Sequence, residues 1–371
     1  MVIKSQPERL YSLDALRGFD MFWIMGGEYI FKGLATLTGW PLLLWWAEQL
    51  DHVEWHGFRF YDMIFPLFLF IAGISFPYSL ASRTARQESR ASLYRHVISR
   101  GFILVLLGIL YNNAVSFDLA HLRYGSVLGR IGLAWMFAAL IAMNTGIRTR
   151  IAWFWGLLVG YWLLLYFFPI HHFGAADIFS RQGNLASYLD RLLLPGRLHI
   201  GDHDPEGILS TMPAISTALL GMFAGEFLRS TWRNLSLRQK GLAMILAGSG
   251  LAAIGQIWNL FFPINKNLWS SSFVCYAGGL SLILFSVFYL IIDVWNCRRW
   301  SFFFVVIGVN PITIYLTERI VQFKSTANFF FGWTLSLFPE AWTPFLNALA
   351  MTAVGWVLLY LLFKKKIFLK V

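Results

Sequence analysis

The sequence predicts an all-α protein, a polytopic membrane helical bundle of about ten transmembrane helices. Three observations carry this: few charges, many apolar residues, and long apolar runs. Of 371 residues, 57% are hydrophobic, 18% aromatic and only 13% charged, with mean hydropathy +0.59. A soluble domain carries about 25% charged residues. This length could supply two soluble domains of ordinary size, but the charge could not cover them. Runs of about 20 apolar residues are long enough to cross a bilayer as helices. A net charge of +11 would point to nucleic acid in a soluble protein. Here membrane lipid is the expected partner and nucleic acid is not.

The apolar segments, in order, are roughly 12–34, 61–82, 98–116, 126–145, 151–170, 208–229, 240–262, 270–293, 301–319 and 345–363. The first 17 residues are polar, and no small-residue cleavage site follows, so the first segment is expected to stay in the membrane. No repeat, low-complexity tract or separate soluble unit interrupts the series, and residues 1–371 are expected to form one transmembrane domain. Twenty Lys and Arg fall in the N-terminus, 83–100, 146–150, 229–240, 294–300 and 364–371, against nine in the other connections. Positive charge marks the cytoplasmic side, which predicts that both termini are cytoplasmic. The longest exterior connection is then 171–207. Seven of the eight histidines lie outside (His52, His56, His121, His171, His172, His199 and His203), and His96 faces the cytoplasm. Cys275 and Cys297 are too few for a disulfide scaffold or a cysteine-rich zinc site, and both are expected to be free thiols.

Ionisable residues in or beside a span are costly and therefore point to function. At the start of the first segment, Asp14 and Arg17 in Ser12-Leu-Asp-Ala-Leu-Arg-Gly18 sit three apart on one helical face. They suit either a helix start or an anionic cytosolic ligand. Glu28 follows Gly26-Gly27, which permit close approach of backbone or ligand. His52 and His56 are followed by Asp62, a carboxylate able to fix a histidine tautomer and raise its basicity. A helix there would place both histidines on one face. That spacing also suits a metal, but there is no third ligand and no HExxH pattern, so no metal is expected. Arg130 stands inside an apolar run, where an arginine meets a carboxylate, a phosphate or a water-filled cavity. Asp204 and Glu206, in Asp202-His-Asp-Pro-Glu-Gly207, crowd the start of a span. They suit a helix N-terminus or a cationic or polyhydroxylated ligand. Asn265, Lys266, Asn267 and Trp269 offer amides, an amine and an aromatic face, a set that fits sugar hydroxyls or an ordinary polar turn.

Together these stretches resemble the transmembrane heparan-α-glucosaminide N-acetyltransferases and their bacterial relatives, the membrane glucosamine N-acetyltransferases. The matching pieces are Ser12–Gly18, His52-x-x-Trp55-x-Gly57 with Asp62-x-x-Phe65-Pro66, and Gly129-Arg130-Ile-Gly132. They continue with Asp204-Pro-Glu-Gly-Ile-Leu209, Asn265-Lys-Asn-Leu-Trp-Ser270 and the less distinctive Asn310-Pro311, in order over residues 12–317.

The resemblance implies transfer of acetyl from cytosolic acetyl-CoA to a glucosamine amine across a bacterial inner membrane. His52 matches the family's essential histidine and Asp62 its supporting aspartate. Glu28 and His56 stand where the family pattern has asparagines, and the lysosomal form's extra lumenal domain has no counterpart here. On this reading His52 is the general base, held by Asp62, with Glu28 near the reacting centre. Arg130, with Arg17 and Asp14, holds the CoA end, and its arm threads between spans 1, 2, 4 and 6. Asp204, Glu206, Asn265, Lys266, Asn267 and Trp269 position the sugar. Direct transfer is expected ahead of an acetyl-histidine relay, and a homodimer is plausible. The alternatives are an amino-sugar or lipid-linked-sugar transporter, and a membrane O-acyltransferase acting on an envelope glycan.

Overall fold

The computed structural model describes residues 10–114, 121–168, 177–321 and 323–369. His171 and His172, the basic residues Lys4, Arg9 and Lys370, and the other residues of the termini lie outside it. Among the described residues there is no β-strand, only one antiparallel bridge between Arg123 and Gly196. The α-helices are α1 (Tyr11–Phe22), α2 (Glu28–Thr38), α3 (Pro41–Gln49), α4 (Ile64–Ala85), α5 (Arg90–Asn113), α6 (Val127–Asn144), α7 (Ile147–Phe167) and α8 (Leu185–Leu193). They continue with α9 (Thr211–Arg229), α10 (Leu237–Trp258), α11 (Ser271–Tyr289), α12 (Phe302–Gly308), α13 (Pro311–Ile320), α14 (Phe323–Leu335) and α15 (Thr343–Lys364).

Eight of the described helical segments are long and apolar enough to cross a bilayer: those containing α4, α5, α6, α7, α9, α10, α11 and α15. The protein is a polytopic helical membrane bundle. Helices α4, α6, α9 and α11 bury most of their apolar surface inside the protein, and α5, α7, α10 and α15 bury little of theirs. The first four therefore form the centre and the second four the lipid-facing shell. The first and ninth apolar runs of the sequence are broken. In the first, a π-helical stretch at Trp23–Gly27, with Gly26 at φ +125°, separates α1 from α2. In the ninth, Val309 and Asn310 separate α12 from α13. Asn310 spends its side chain on the C-terminal tail, donating to the Ile367 carbonyl and accepting from the Leu369 amide. Helix α14 occupies a stretch the sequence reads as an exterior connection. Cys275 is buried and Cys297 exposed, both free.

In lipid there is little hydrophobic force between helices, so close backbone approach at small residues becomes the main attraction. Helices α4 and α9 meet this way: a Cβ on Gly73 would lie 2.3 Å from the Ala218 carbonyl oxygen, and one on Gly221 2.1 Å from that of Phe70. Helix α1 packs on α12 still more tightly. A Cβ on Gly18 would lie 1.7 Å from the Phe304 carbonyl oxygen, and one on Gly308 1.9 Å from that of Asp14. Gly308→Ala is therefore expected to lower the thermal unfolding midpoint in detergent, at a cost of about 1–3 kcal/mol for overpacking. Gly156→Ala, where a Cβ meets nothing within 4 Å, is the control and should leave the midpoint unchanged or raised. Equal midpoints for the two variants would show that the α1–α12 contact is not rigid.

Candidate active site

The segment after α3 is an irregular loop rather than a helix, so His52 and His56 do not share a helical face. The loop ends in a 3₁₀ turn, Phe60–Met63, capped by its own aspartate: one Asp62 carboxylate oxygen accepts the Arg59 amide at 3.0 Å. The other oxygen lies 2.8 Å from His52 Nδ1. A carboxylate can only accept, so Nδ1 carries the proton and the Nε2 lone pair is left to act as a base. Asp62 is buried while the His52 side chain is 48% exposed, so one end of the pair is fixed and the other is reachable. Tyr61 flanks the imidazole at 4.9 Å between ring centroids.

Two cavities meet at this histidine. The inner one, about 210 Å³, has walls that include Met21 and Ile24 of α1 and the π stretch, Phe65 and Phe68 of α4, Ile131 of α6, and Pro311 and Ile312 of α13. The second is a polar vestibule of about 760 Å³ bounded in part by Glu54, Asn112, Arg123, Arg197, His199 and Arg319. His52, Val127, Glu206, Lys266 and Tyr315 line both. The histidine thus stands where an apolar chamber opens into a polar one.

Residues 204–208 form a tight turn leading into α9. Asp204 is fully buried. Its carboxylate accepts from Arg123 at 2.8 and 3.0 Å and from the amides of His199 at 3.1 Å and Glu206 at 3.0 Å. These bonds hold the carboxyl below its usual range, overcoming the opposing effect of burial. Arg123 also binds Glu206 at 2.5 Å, which fixes the Glu206 carboxylate at the junction. Arg130 is buried beneath the turn, donating to the Gly207 carbonyl at 3.3 Å and to Ser210, with its guanidinium over the Trp269 ring at 5.1 Å. On the opposite side Asp190 of α8 accepts the Ile208 amide at 2.8 Å. One peptide unit, Gly207–Ile208, is therefore gripped at its carbonyl by a buried cation and at its N–H by a buried carboxylate.

The turn 265–270 is equally closed. The Asn265 side chain accepts the Leu268 amide at 2.8 Å and reaches His56 Nδ1 at 3.3 Å. Asn267 donates to the Glu54 carbonyl at 3.2 Å, and its own carbonyl lies 3.2 Å from His203 Nε2. Trp269 is buried at φ +52°, with its indole N–H on Thr217 at 3.2 Å. Of the sugar-binding residues expected from sequence, Glu206, Lys266 and Asn267 line the vestibule, whereas Asp204, Asn265 and Trp269 brace the turns behind it.

The remaining expected residues stand apart. Glu28 pairs with Lys32 at 3.1 Å, and Lys32 with Asp51 at 2.9 Å, so Glu28 connects to the His52 loop through two ion pairs without lining either cavity. Asp14 and Arg17 pair at 3.1 Å, and Arg17 also reaches Ser75 at 3.0 Å and the Gly308 carbonyl at 3.3 Å. Neither of them, nor Arg130, lines the two cavities. The structure adds Arg123, Asp190 and the stacked pair Tyr111–Tyr315, 4.4 Å between centroids. It also adds Asp20, fully buried in α1 with neither carboxylate oxygen bonded among the described residues. The rule that singles out Arg130 as a charge inside an apolar run finds Asp20 too. Among the described residues no group of three or more His, Cys, Asp or Glu could hold a metal ion.

Fold and site define a multi-pass membrane protein with a histidine–carboxylate pair at the meeting of an apolar and a polar chamber. No family model matches the chain. It is 28% identical to human (Homo sapiens) heparan-alpha-glucosaminide N-acetyltransferase over 430 aligned positions, covering 100% of this chain and 61% of that protein. It is 27% identical to the mouse (Mus musculus) protein of the same name over 429 positions, covering 99% of this chain and 61% of that one. The resemblance carried by the motifs therefore extends along the whole chain, which spans about 61% of the length of the curated relatives it matches.

Two buried groups beside the site give opposite pH responses. His203, bonded to Ser187 and Asn267, is pushed down to about 4 by burial. It stays neutral in the folded chain while the unfolded chain protonates near 6.5, so its contribution to stability is lost as pH falls from 6.5 through 4. Asp190 is pushed up to about 6 by burial. The folded chain takes up that proton first, so its contribution is present at pH 4 and lost as pH rises through 6. Each amounts to about 3 kcal/mol and the two nearly cancel. Asp190→Asn should therefore lose thermal stability on acidification from pH 6.5 to 4 more steeply than the unsubstituted chain, and His203→Gln less steeply. Melting curves in detergent across that range check this, and slopes parallel to the unsubstituted chain would refute it.

Proposed function

We propose that the chain is a transmembrane N-acetyltransferase. It moves acetyl from cytosolic acetyl-CoA to the amine of glucosamine, or of a glucosamine-containing sugar, on the exterior side of a bacterial cytoplasmic membrane. The observation that carries the reading is the His52–Asp62 pair at the junction of the two chambers, and the full-length similarity to two N-acetyltransferases supports it. The apolar chamber suits the acetyl end of the pantetheine arm and excludes water that would hydrolyse the thioester. The vestibule suits the sugar, with Glu206 able to hold its hydroxyls or ammonium.

In this mechanism His52 Nε2 takes the proton that the amine must lose as it attacks, and Asp62 keeps the imidazole in the tautomer that can accept it. Direct transfer needs no covalent enzyme intermediate. The CoA phosphates stay at the basic cytoplasmic side, where Arg17 with Asp14 forms part of the cationic face. Arg130 acts on the sugar side by holding the Gly207–Ile208 peptide, and Glu28 acts through Lys32 and Asp51.

The test uses purified protein in sealed vesicles, with labelled acetyl-CoA on the cytoplasmic side and glucosamine on the other. Labelled N-acetylglucosamine appearing opposite the CoA is the expected product, whereas movement of unmodified sugar would make the chain a transporter. His52→Ala should lower turnover by about 10²–10⁴-fold, the range of general-base catalysis, and leave acetyl-CoA binding intact. Near-normal turnover in that variant would remove His52 from the mechanism.

A further inference from the structure

We propose that Lys266 is a catalytic residue whose ammonium stabilises the oxyanion formed when the sugar amine attacks the acetyl carbonyl. The proposal deepens the acetyltransferase reading above and rests on it. In the addition step the amine lone pair forms the N–C bond and the carbonyl π pair moves onto oxygen. His52 Nε2 takes the amine proton. The carbonyl then re-forms as the C–S bond breaks, and the electron pair leaves on the CoA sulfur, which takes the proton from the imidazolium. The products are the acetamide and CoA thiol, with no net charge change. Negative charge therefore builds on one oxygen, beside the base, and a fixed donor about 3 Å from that position is the largest electrostatic contribution available.

Five residues line both chambers, and Lys266 is the one that carries a fixed positive charge. His52 is the base, Glu206 is an anion held by Arg123, Val127 is apolar, and Tyr315, its ring stacked on Tyr111, offers only a neutral hydroxyl. The nearby guanidinium of Arg123 is occupied by Asp204 and Glu206. Lys266 Nζ lies 3.0 and 2.9 Å from Nδ1 and Nε2 of His52 and 3.8 Å from Asp62. With Nδ1–H committed to Asp62, the ammonium donates to Nε2 until an amine takes that place. Its N–H is then released beside the reacting carbonyl.

The lysine is held in place by its own turn. Asn265 and Asn267 spend their side chains on Leu268, His56 and Glu54, and the Trp269 amide bonds back to the Lys266 carbonyl at 3.0 Å. The Lys266 side chain is only 16% exposed, so its charge acts in a medium of low dielectric, where it is worth more than in water. Burial lowers the pKa of the ammonium, while Asp62 and Glu206 oppose that and favour the charged form. A lysine that merely bound sugar would contribute equally to ground and transition states and would appear in KM alone.

Steady-state kinetics of the full chain with acetyl-CoA and glucosamine separate the cases. Lys266→Met is expected to lower kcat by about 10²–10³-fold, the effect of removing one oxyanion donor. KM for both substrates and the thermal midpoint should be nearly unchanged. Lys266→Arg, which keeps a cation, should recover part of the loss. An unchanged kcat with a raised KM for glucosamine would make Lys266 a sugar ligand and overturn the proposal. Equal losses in the methionine and arginine variants, both with unchanged midpoints, would also overturn it. If Lys266→Met fails to fold, Lys266→Ala carries the same comparison with arginine. Absence of acetyl transfer by the unsubstituted chain would overturn the acetyltransferase reading itself, whereas failure of the Lys266 effect alone leaves that reading standing.

Discussion

The site depends on one constraint, the burial of two arginine charges at the start of α6. Among the described residues, Arg123 has two carboxylates within bonding distance and Arg130 has none. A guanidinium taken out of water costs several kcal/mol unless its charge is met by dipoles or anions. Arg130 is met by the Gly207 carbonyl, the Ser210 hydroxyl and the face of Trp269. To offer those partners, residues 204–210 must turn sharply beneath it. A side chain at Gly207 would collide with Asp190, since its Cβ would lie 1.9 Å from a carboxylate oxygen. Glycine there follows from the arginine, and the position of Glu206 follows from both.

From that turn the bracing spreads through side chain–backbone bonds between loops. His203 joins the 204–208 turn to the 265–270 turn through the Asn267 carbonyl. Asn267 in turn joins the His52 loop through the Glu54 carbonyl, and Gly57 bonds the Ile264 carbonyl at 2.8 Å. Three segments far apart in sequence thus fix one another, with His52, Glu206 and Lys266 carried on separate segments around one opening. Each loop alone is irregular and could not hold a side chain to the accuracy that proton transfer needs.

Much of this was legible in the sequence, and the limits have physical causes. Apolar run lengths identify the membrane bundle and eight of its spans, because a helix crossing a bilayer has a narrow range of lengths. The His52–Asp62 pair was legible through the family resemblance, and a short loop followed by a turn is what brings these residues, ten apart, together. The role of Asp204 was not legible. A carboxylate at a helix start reads equally as a sugar ligand, and Arg123, 81 residues away, holds it inward together with two backbone amides of its own loop. Arg130 was legible as a buried charge needing a partner, but its partner is a backbone carbonyl, which leaves no mark in a sequence. Asn265 and Asn267 offer the amides that a sugar would use, but the turn needs those amides for itself.

The two apolar runs that are not continuous helices both border the inner chamber, beside the unbroken α4 and α6. Met21 and Ile24 enter it from the first run, on either side of the start of the π-helical stretch, and Pro311 and Ile312 from the ninth, immediately after its break. Irregular backbone at membrane depth is tolerated only where it is buried in protein or lines a cavity. Both breaks meet that condition, since residues beside each of them line the chamber. The first run also carries Asp14, Arg17, Asp20 and Glu28, none of which lines the chamber. Its break is thus tied to the chamber, whereas three of its charges are met elsewhere: Asp14 by Arg17, Arg17 also by Ser75 and the Gly308 carbonyl, and Glu28 by Lys32.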